Sequence, residues 1–225
     1  TLFRSRVSSN VASAIVHTMR EVDAGEVILG LHETEDGFPA GELGVVTKSI
    51  LAATHREVIL VRMLMPPGTL RRIVVVVPPK AEYEVGFYKW LEHLSRVGEQ
   101  TGQMMRIHAC GDTGQYITEF MQQLHPLVRY EVLGEKGLGS LLVRLPSEVN
   151  HDHMLVIVSS RKGFISYTSA LNTIPAIIAR NFSHTSVMLL FPDQWGEPET
   201  SVSIFQPNGR AVTRQTGWLR RLFSR

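Results

Sequence analysis

The stretch that most constrains this chain is Met154-Leu-Val-Ile-Val-Ser-Ser-Arg-Lys-Gly-Phe164, followed by a helix-like run and then Ser186-Val-Met-Leu-Leu-Phe-Pro192. Val156, Ile157 and Val158 are wholly apolar and give way to Ser159, Ser160 and Gly163. That is the pattern of a strand buried on both faces of a parallel sheet, with the loop that leaves it. Between Leu171 and Phe182 the apolar residues Leu171, Ile174, Ile177, Ile178 and Phe182 follow helical spacing. Val187 to Phe191 reads as a second buried strand. Right-handed closure of such a crossover puts both strands parallel in one sheet.

The same unit occurs earlier. Val27-Ile28-Leu29 precedes Val58-Ile59-Leu60 by 31 positions, as Val156-Ile157-Val158 precedes Val187-Met188-Leu189. This internal repeat has a period of 129 residues, in which Gly44 falls on Thr173 and Thr54-His55 on Ser183-His184. The period is too long for a solenoid and implies two related α/β units. Unit one, residues 1–65, supplies only a helix, a strand, a helix and a strand, its earlier strands expected upstream of Thr1. Unit two, 66–193, is complete, and 194–225 form a tail. The boundary is Met65-Pro66-Pro67-Gly68, where two prolines cannot continue a central strand. The strands at 56–63 and 186–191 are expected to meet about a pseudo-twofold axis, joining both units in one sheet.

In order, Ser8-Ser9-Asn10 caps a helix with an expected apolar face of Val11, Ala14, Ile15, Met19 and Val22. A strand at 26–31, an acidic loop at 32–40, a helix near 42–55 and a strand at 56–63 follow. Unit two has a four-valine strand at 72–77 stopped by Pro78-Pro79. Then come a helix at 85–99 with Phe87, Trp90, Leu91, Leu94 and Val97 inward, a strand at 103–109, a helix at 113–124, a strand at 128–133 and a short helix at 138–145. Alternation of this kind predicts a doubly wound α/β sheet of five parallel strands.

The formal charge of +2, from 23 basic and 21 acidic residues, gives no polyelectrolyte character, so no nucleic-acid partner is expected. One cysteine, Cys110, excludes an intrachain disulfide and any multi-cysteine metal site. Apolar runs stop well short of the 18 residues a membrane helix needs. The chain opens at Thr1 without a signal-peptide pattern and reads as a fragment of something longer.

A five-stranded order with a glycine-bearing loop before the last helix resembles the universal stress protein fold. The blocks Val27-Ile-Leu-Gly-Leu-His32, Val45-Val-Thr-Lys-Ser-Ile-Leu51, Val75-Val-Val-Pro-Pro-Lys-Ala-Glu-Tyr-Glu-Val-Gly-Phe87 and Val158-Ser-Ser-Arg-Lys162 resemble something narrower. They look like the cytosolic universal-stress-like tail of Bacteroides-type sodium/proton (cation:proton) antiporters, over residues 8–193. The resemblance implies a non-catalytic regulatory or dimerisation domain at the cytoplasmic face of the inner membrane. Its partners would be the membrane transport domain of the same polypeptide and a second copy. The alternatives are a module sensing an adenine nucleotide or cyclic dinucleotide, and a soluble stress protein with no transporter attached.

Nucleotide-binding universal stress proteins carry Gly-x2-Gly-x9-Gly-Ser/Thr, whose backbone N–H groups and following helix hold phosphates. Unit one keeps Gly30 and Gly44, 14 apart instead of 13, with Val45 in the hydroxyl position and Glu33, Glu35 and Asp36 between. Unit two keeps Gly163 and has Asn172-Thr173 where Gly-Ser/Thr is expected. Its first strand ends Val77-Pro78-Pro79-Lys80, where nucleotide binders usually place an acid. Ser159, Ser160, Arg161 and Lys162 sit at the ligand-bearing edge of such a sheet and are candidate anion contacts.

His151-Asp152-His153 lacks a third ligand and reads as a solvated turn, so no metal is expected. His55 and His184, equivalent in the repeat, read as helix-terminal residues. Cys110 has no pairing His/Asp pattern and reads as an inert thiol. Gly-x-Ser-x-Gly, a Walker loop and a dinucleotide fingerprint are absent, so no catalytic residue is assigned. In the tail, Trp218, Leu219, Leu222 and Phe223 would share a helical face with Arg220, Arg221 and Arg225 off it. That composition suits an interface with anionic headgroups, with a disordered end or a helix packed on the domain as the alternative.

Overall fold

The computed structural model describes residues 10–31 and 42–195. The acidic loop and the tail, Trp218, Arg220, Arg221 and Phe223 included, lie outside the described residues. The elements run α1 Val11–Glu21, β1 Glu26–Gly30, α2 Val45–Ala53, β2 Glu57–Arg62, β3 Arg72–Val77 and α3 Phe87–Thr101. They continue β4 Met104–Cys110, α4 Thr113–Leu124, β5 Tyr130–Glu135, α5 Leu138–Arg144, β6 His153–Val158, α6 Ile174–Asn181 and β7 Ser186–Phe191.

All seven strands form one sheet in the order β1-β2-β7-β6-β3-β4-β5. Every neighbouring pair is parallel except β2 and β7, which run antiparallel. The five expected parallel strands of the C-terminal part are present, and the seam between the two parts is the expected one. Leu60 and Leu189, equivalent in the 129-residue repeat, face each other across it. A repeat residue paired with its own counterpart is what a local twofold axis through the seam requires. Two arginines tie the seam. Arg62 donates to the carbonyls of Phe182 and Thr185, while Arg161 donates to those of Pro192 and Arg56, both of the Arg161 bonds being 2.7 Å. Arg56 and Thr185 are themselves repeat equivalents.

The register differs by one residue at β6. Val27 pairs with Val58, but it is Leu155, not Val156, that pairs with Val187. A one-residue shift reverses which face a strand residue occupies, and the packing agrees. Leu155 and Ile157 join one core layer with Val27 and Leu29 against it, whereas Met154, Val156 and Val158 lie in the other. Helices α1, α2, α5 and α6 cover the first layer, and α3 and α4 cover the second. On the α3 side Ile28 of β1 remains 60% exposed.

Local chemistry accounts for most element boundaries. Asn10 caps α1 by accepting the Ser13 N–H at 3.0 Å. The buried stripe of α1 is Ala12, Val16 and Met19; of the expected face Met19 is buried, Ala14 and Ile15 are half-buried, and Val11 and Val22 are exposed. Phe87, Trp90, Leu91 and Leu94 of α3 are buried as the spacing predicts. The strand expected at 128 begins at Tyr130, since Val128 turns into the core and its N–H bonds the His125 carbonyl. The run from Leu171 becomes helical only at Ile174, after a tight 3-10 turn over Ser169–Thr173. Gly86, before α3, meets the Asp193 backbone, and a Cβ there would lie 2.5 Å from the Asp193 nitrogen.

Candidate functional site

Reversal of strand direction at the seam has a direct consequence for the candidate residues. The C-terminal ends of β1 and β2 share an edge with the N-terminal ends of β7, β6 and β3. Gly30, ending β1, therefore lies at the opposite edge from Ser159–Gly163, which follow β6. The two candidate loops cannot contribute to one site. Gly44 is the N-cap of α2 with φ of −59°, and a side chain at Gly30 or Gly44 would meet open space. Neither glycine is demanded by the backbone around it.

At the β6 edge the chain leaves the sheet through Ser159, whose N–H extends the ladder to the Leu190 carbonyl at 2.7 Å. Ser160 and Arg161 are buried, Lys162 is exposed, and Gly163 turns the chain with φ of +97°, a left-handed conformation that favours glycine. The donors of this loop already have an anion. Glu84, only 2% exposed, accepts the Ser166 N–H at 3.0 Å and the Ser166 hydroxyl at 2.6 Å on Oε1. Ser160 Oγ lies 3.4 Å from the same oxygen, and Gln194 donates to Oε2 at 2.5 Å. A carboxylate of the protein thus takes up the Ser166 hydroxyl and amide and lies beside the Ser160 hydroxyl. Glu82, two residues earlier and also buried, accepts from Thr113 at the start of α4 at 2.5 Å.

Arg161 does not face outward either. Its guanidinium is held by the two carbonyls at the seam, and burial pushes its pKa down to about 10, partly offset by Asp193 and Glu84. Asn172 bonds the Tyr167 hydroxyl at 2.8 Å, and Thr173 Oγ1 donates to Ala170 O at 2.8 Å. Both are engaged within their own turn. Of the candidates in this loop, Ser160 and Arg161 are structural parts of the fold, while Lys162 alone presents an exposed charge.

The other singled-out residues resolve simply. His153 opens β6 and is buried, unlike the solvated turn expected for it, because the strand starts one residue earlier than the apolar run suggests. Its Nδ1 accepts the Asn150 N–H at 3.2 Å, and burial holds its pKa below the usual histidine value. His55 packs edge-on against Phe164 with ring centroids 6.3 Å apart. Burial pushes the Cys110 thiol up to about 11, so it is no nucleophile at neutral pH.

Sequence patterning missed two groups. One is Glu84, whose partners lie 76 to 110 residues away in the chain. The other is the trio Glu26, Glu57 and His93, at the same edge of the sheet but under β1 and β2. A signal for part of it existed, since the 31-residue offset that aligns Val27 with Val58 also aligns Glu26 with Glu57.

The seven-stranded, mostly parallel sheet with its strand-end loop defines a universal-stress-protein-like α/β domain. A solved universal stress protein from Archaeoglobus fulgidus DSM 4304 superposes with a TM-score of 0.53 at 18% identity, covering 81% of this chain and 65% of that one. By sequence the chain is similar to the Na(+)/H(+) antiporter NhaS5 of Synechocystis sp. (strain ATCC 27184 / PCC 6803 / Kazusa), 22% identical over 199 residues. That match takes in 84% of this chain but only 28% of the antiporter's length. No family model matches. Among the described residues no helix is long and apolar enough to cross a membrane.

Proposed function

We propose that this domain is a non-catalytic regulatory module of a cation:proton antiporter, carried at the cytoplasmic face of the membrane and acting through protein contacts, pairing of two antiporter copies among them. The similarity to NhaS5 over 84% of the chain carries this reading. Two features of the fold support it. The strand-end loop of β6 is filled by Glu84, so its polar groups serve the fold. In addition β1, the counterpart of β6, is outermost among the described residues, whereas β6 has β3 on its far side. A strand from the rest of a longer polypeptide would take the equivalent place beside β1.

The test is sodium/proton exchange in everted vesicles carrying the full-length antiporter, compared with the same protein lacking this domain. Exchange should persist after deletion, with an altered dependence on pH or sodium and a smaller dimeric fraction on cross-linking. Identical exchange curves together with an identical oligomeric state would overturn the reading.

A further inference from the structure

The N-terminal ends of β1 and β2 gather charged side chains outside the repeat and loop motifs. Glu26 and Glu57 each open their strand and are register partners, so their carboxylates stand side by side beneath α3. Like charges directly opposite in a sheet repel. Glu57 is also fully buried, where an uncompensated charge is costly. His93 of α3 reaches both, its Nδ1 lying 3.3 Å from Glu26 Oε2 and 3.3 Å from Glu57 Oε1. One ligand atom from each of the three residues lies within 4.8 Å of the others. The second oxygen of the buried carboxylate, Glu57 Oε2, accepts no hydrogen bond. Lys89 Nζ stands 3.9 Å from it and is engaged instead by Asp193 at 2.8 Å and the Gly25 carbonyl at 2.7 Å.

We propose that Glu26, Glu57 and His93 form a binding site for a divalent cation of the zinc class. In a tetrahedral site with bonds of about 2.0–2.1 Å, ligand atoms are spaced about 3.3 Å apart, the separation already present between Nδ1 and each carboxylate. One imidazole with two carboxylates suits Zn2+ better than Mg2+ or Ca2+, which favour six or more oxygen ligands. The Glu26 and His93 side chains are 42% and 39% exposed, which leaves an entry path and a fourth position for water. The ligands come from β1, β2 and α3, so a bound ion fastens the N-terminal strands to a helix of the C-terminal part. Lys89 is the built-in competitor, since its ammonium stands 3.9 Å from the same buried carboxylate. This inference does not depend on the function proposed above.

The test is calorimetric titration of Zn2+ into the purified chain at pH 7.5, with Mg2+ in parallel. One saturable micromolar Zn2+ site is expected, with no heat from Mg2+ and a rise in melting temperature on Zn2+ addition. His93→Ala and Glu26→Gln, both partly exposed and therefore compatible with folding, should each weaken Zn2+ at least tenfold and remove the thermal shift. Lys89→Met should tighten it several-fold. Absence of saturable binding, or a site that His93→Ala leaves unchanged, would overturn the proposal.

Discussion

Removing the Glu84 carboxylate tests whether the strand-end loop is held together by an internal anion. In Glu84→Ala the buried Ser166 loses acceptors for both its N–H and its hydroxyl, and Gln194 loses one for its amide. Each buried donor left unpaired costs about 1–3 kcal/mol. Gln194 is only partly buried, so water can enter and relieve part of the loss, which puts the total at about 3 kcal/mol. In a domain of this size that corresponds to a fall in melting temperature of roughly 6–12 °C. Glu84→Gln keeps the shape and one acceptor oxygen, and reorientation of the Gln194 amide can satisfy the new NH2 group, so about 1 kcal/mol is expected. Urea unfolding followed by tryptophan fluorescence reads both variants, and a cycle with Ser166→Ala isolates the coupling. An alanine variant within about 0.5 kcal/mol of wild type, or a glutamine variant as damaging as alanine, would refute the network as the loop's support.

Gly86→Ala should destabilise by about 1–3 kcal/mol, because its Cβ meets Asp193 backbone and not a yielding side chain, while Gly30→Ala, facing open space, should be close to neutral in the same unfolding assay. Arg161→Met should cost about 2–3 kcal/mol by leaving the Arg56 and Pro192 carbonyls unpaired at the seam, again read by urea unfolding. Burial lowers the His153 pKa in the folded chain, so the unfolded chain binds the proton first. Its contribution is intact above the ordinary value of 6.5 and is lost as pH falls below it. Between pH 7 and pH 5 the melting temperature should therefore fall, and His153→Leu should flatten that slope. A thermal-shift panel of ATP, AMP and cyclic dinucleotides should be flat with Glu84 in the loop, since a ligand at 100 times its dissociation constant would stabilise by about 2.7 kcal/mol and be plainly visible.

The sheet itself was readable along the chain. Valine-rich runs such as Arg72–Val77 and Met154–Val158 are apolar at almost every position, which only a strand covered on both faces tolerates. The 129-residue repeat even located the seam, because two copies of one unit can share a sheet by meeting about a twofold axis, and Leu60 against Leu189 is that meeting. Helix faces were less readable. In α1 the buried stripe passes through Ala12, whose small side chain carries little hydrophobic signal. The offset at β6 escaped because runs apolar on both faces look alike when slid by one residue, and only the ladder with β7 fixes their register. Long-range side-chain contacts were the least accessible. The filling of the Ser160–Ser166 loop by Glu84, and the meeting of Glu26 and Glu57 with His93, join side chains dozens of residues apart. Periodicity records which face a residue turns inward, since burial repeats with the geometry of the element. It carries no record of which distant carboxylate arrives there, because that depends on how strands and loops far apart in the chain are brought together when the sheet closes.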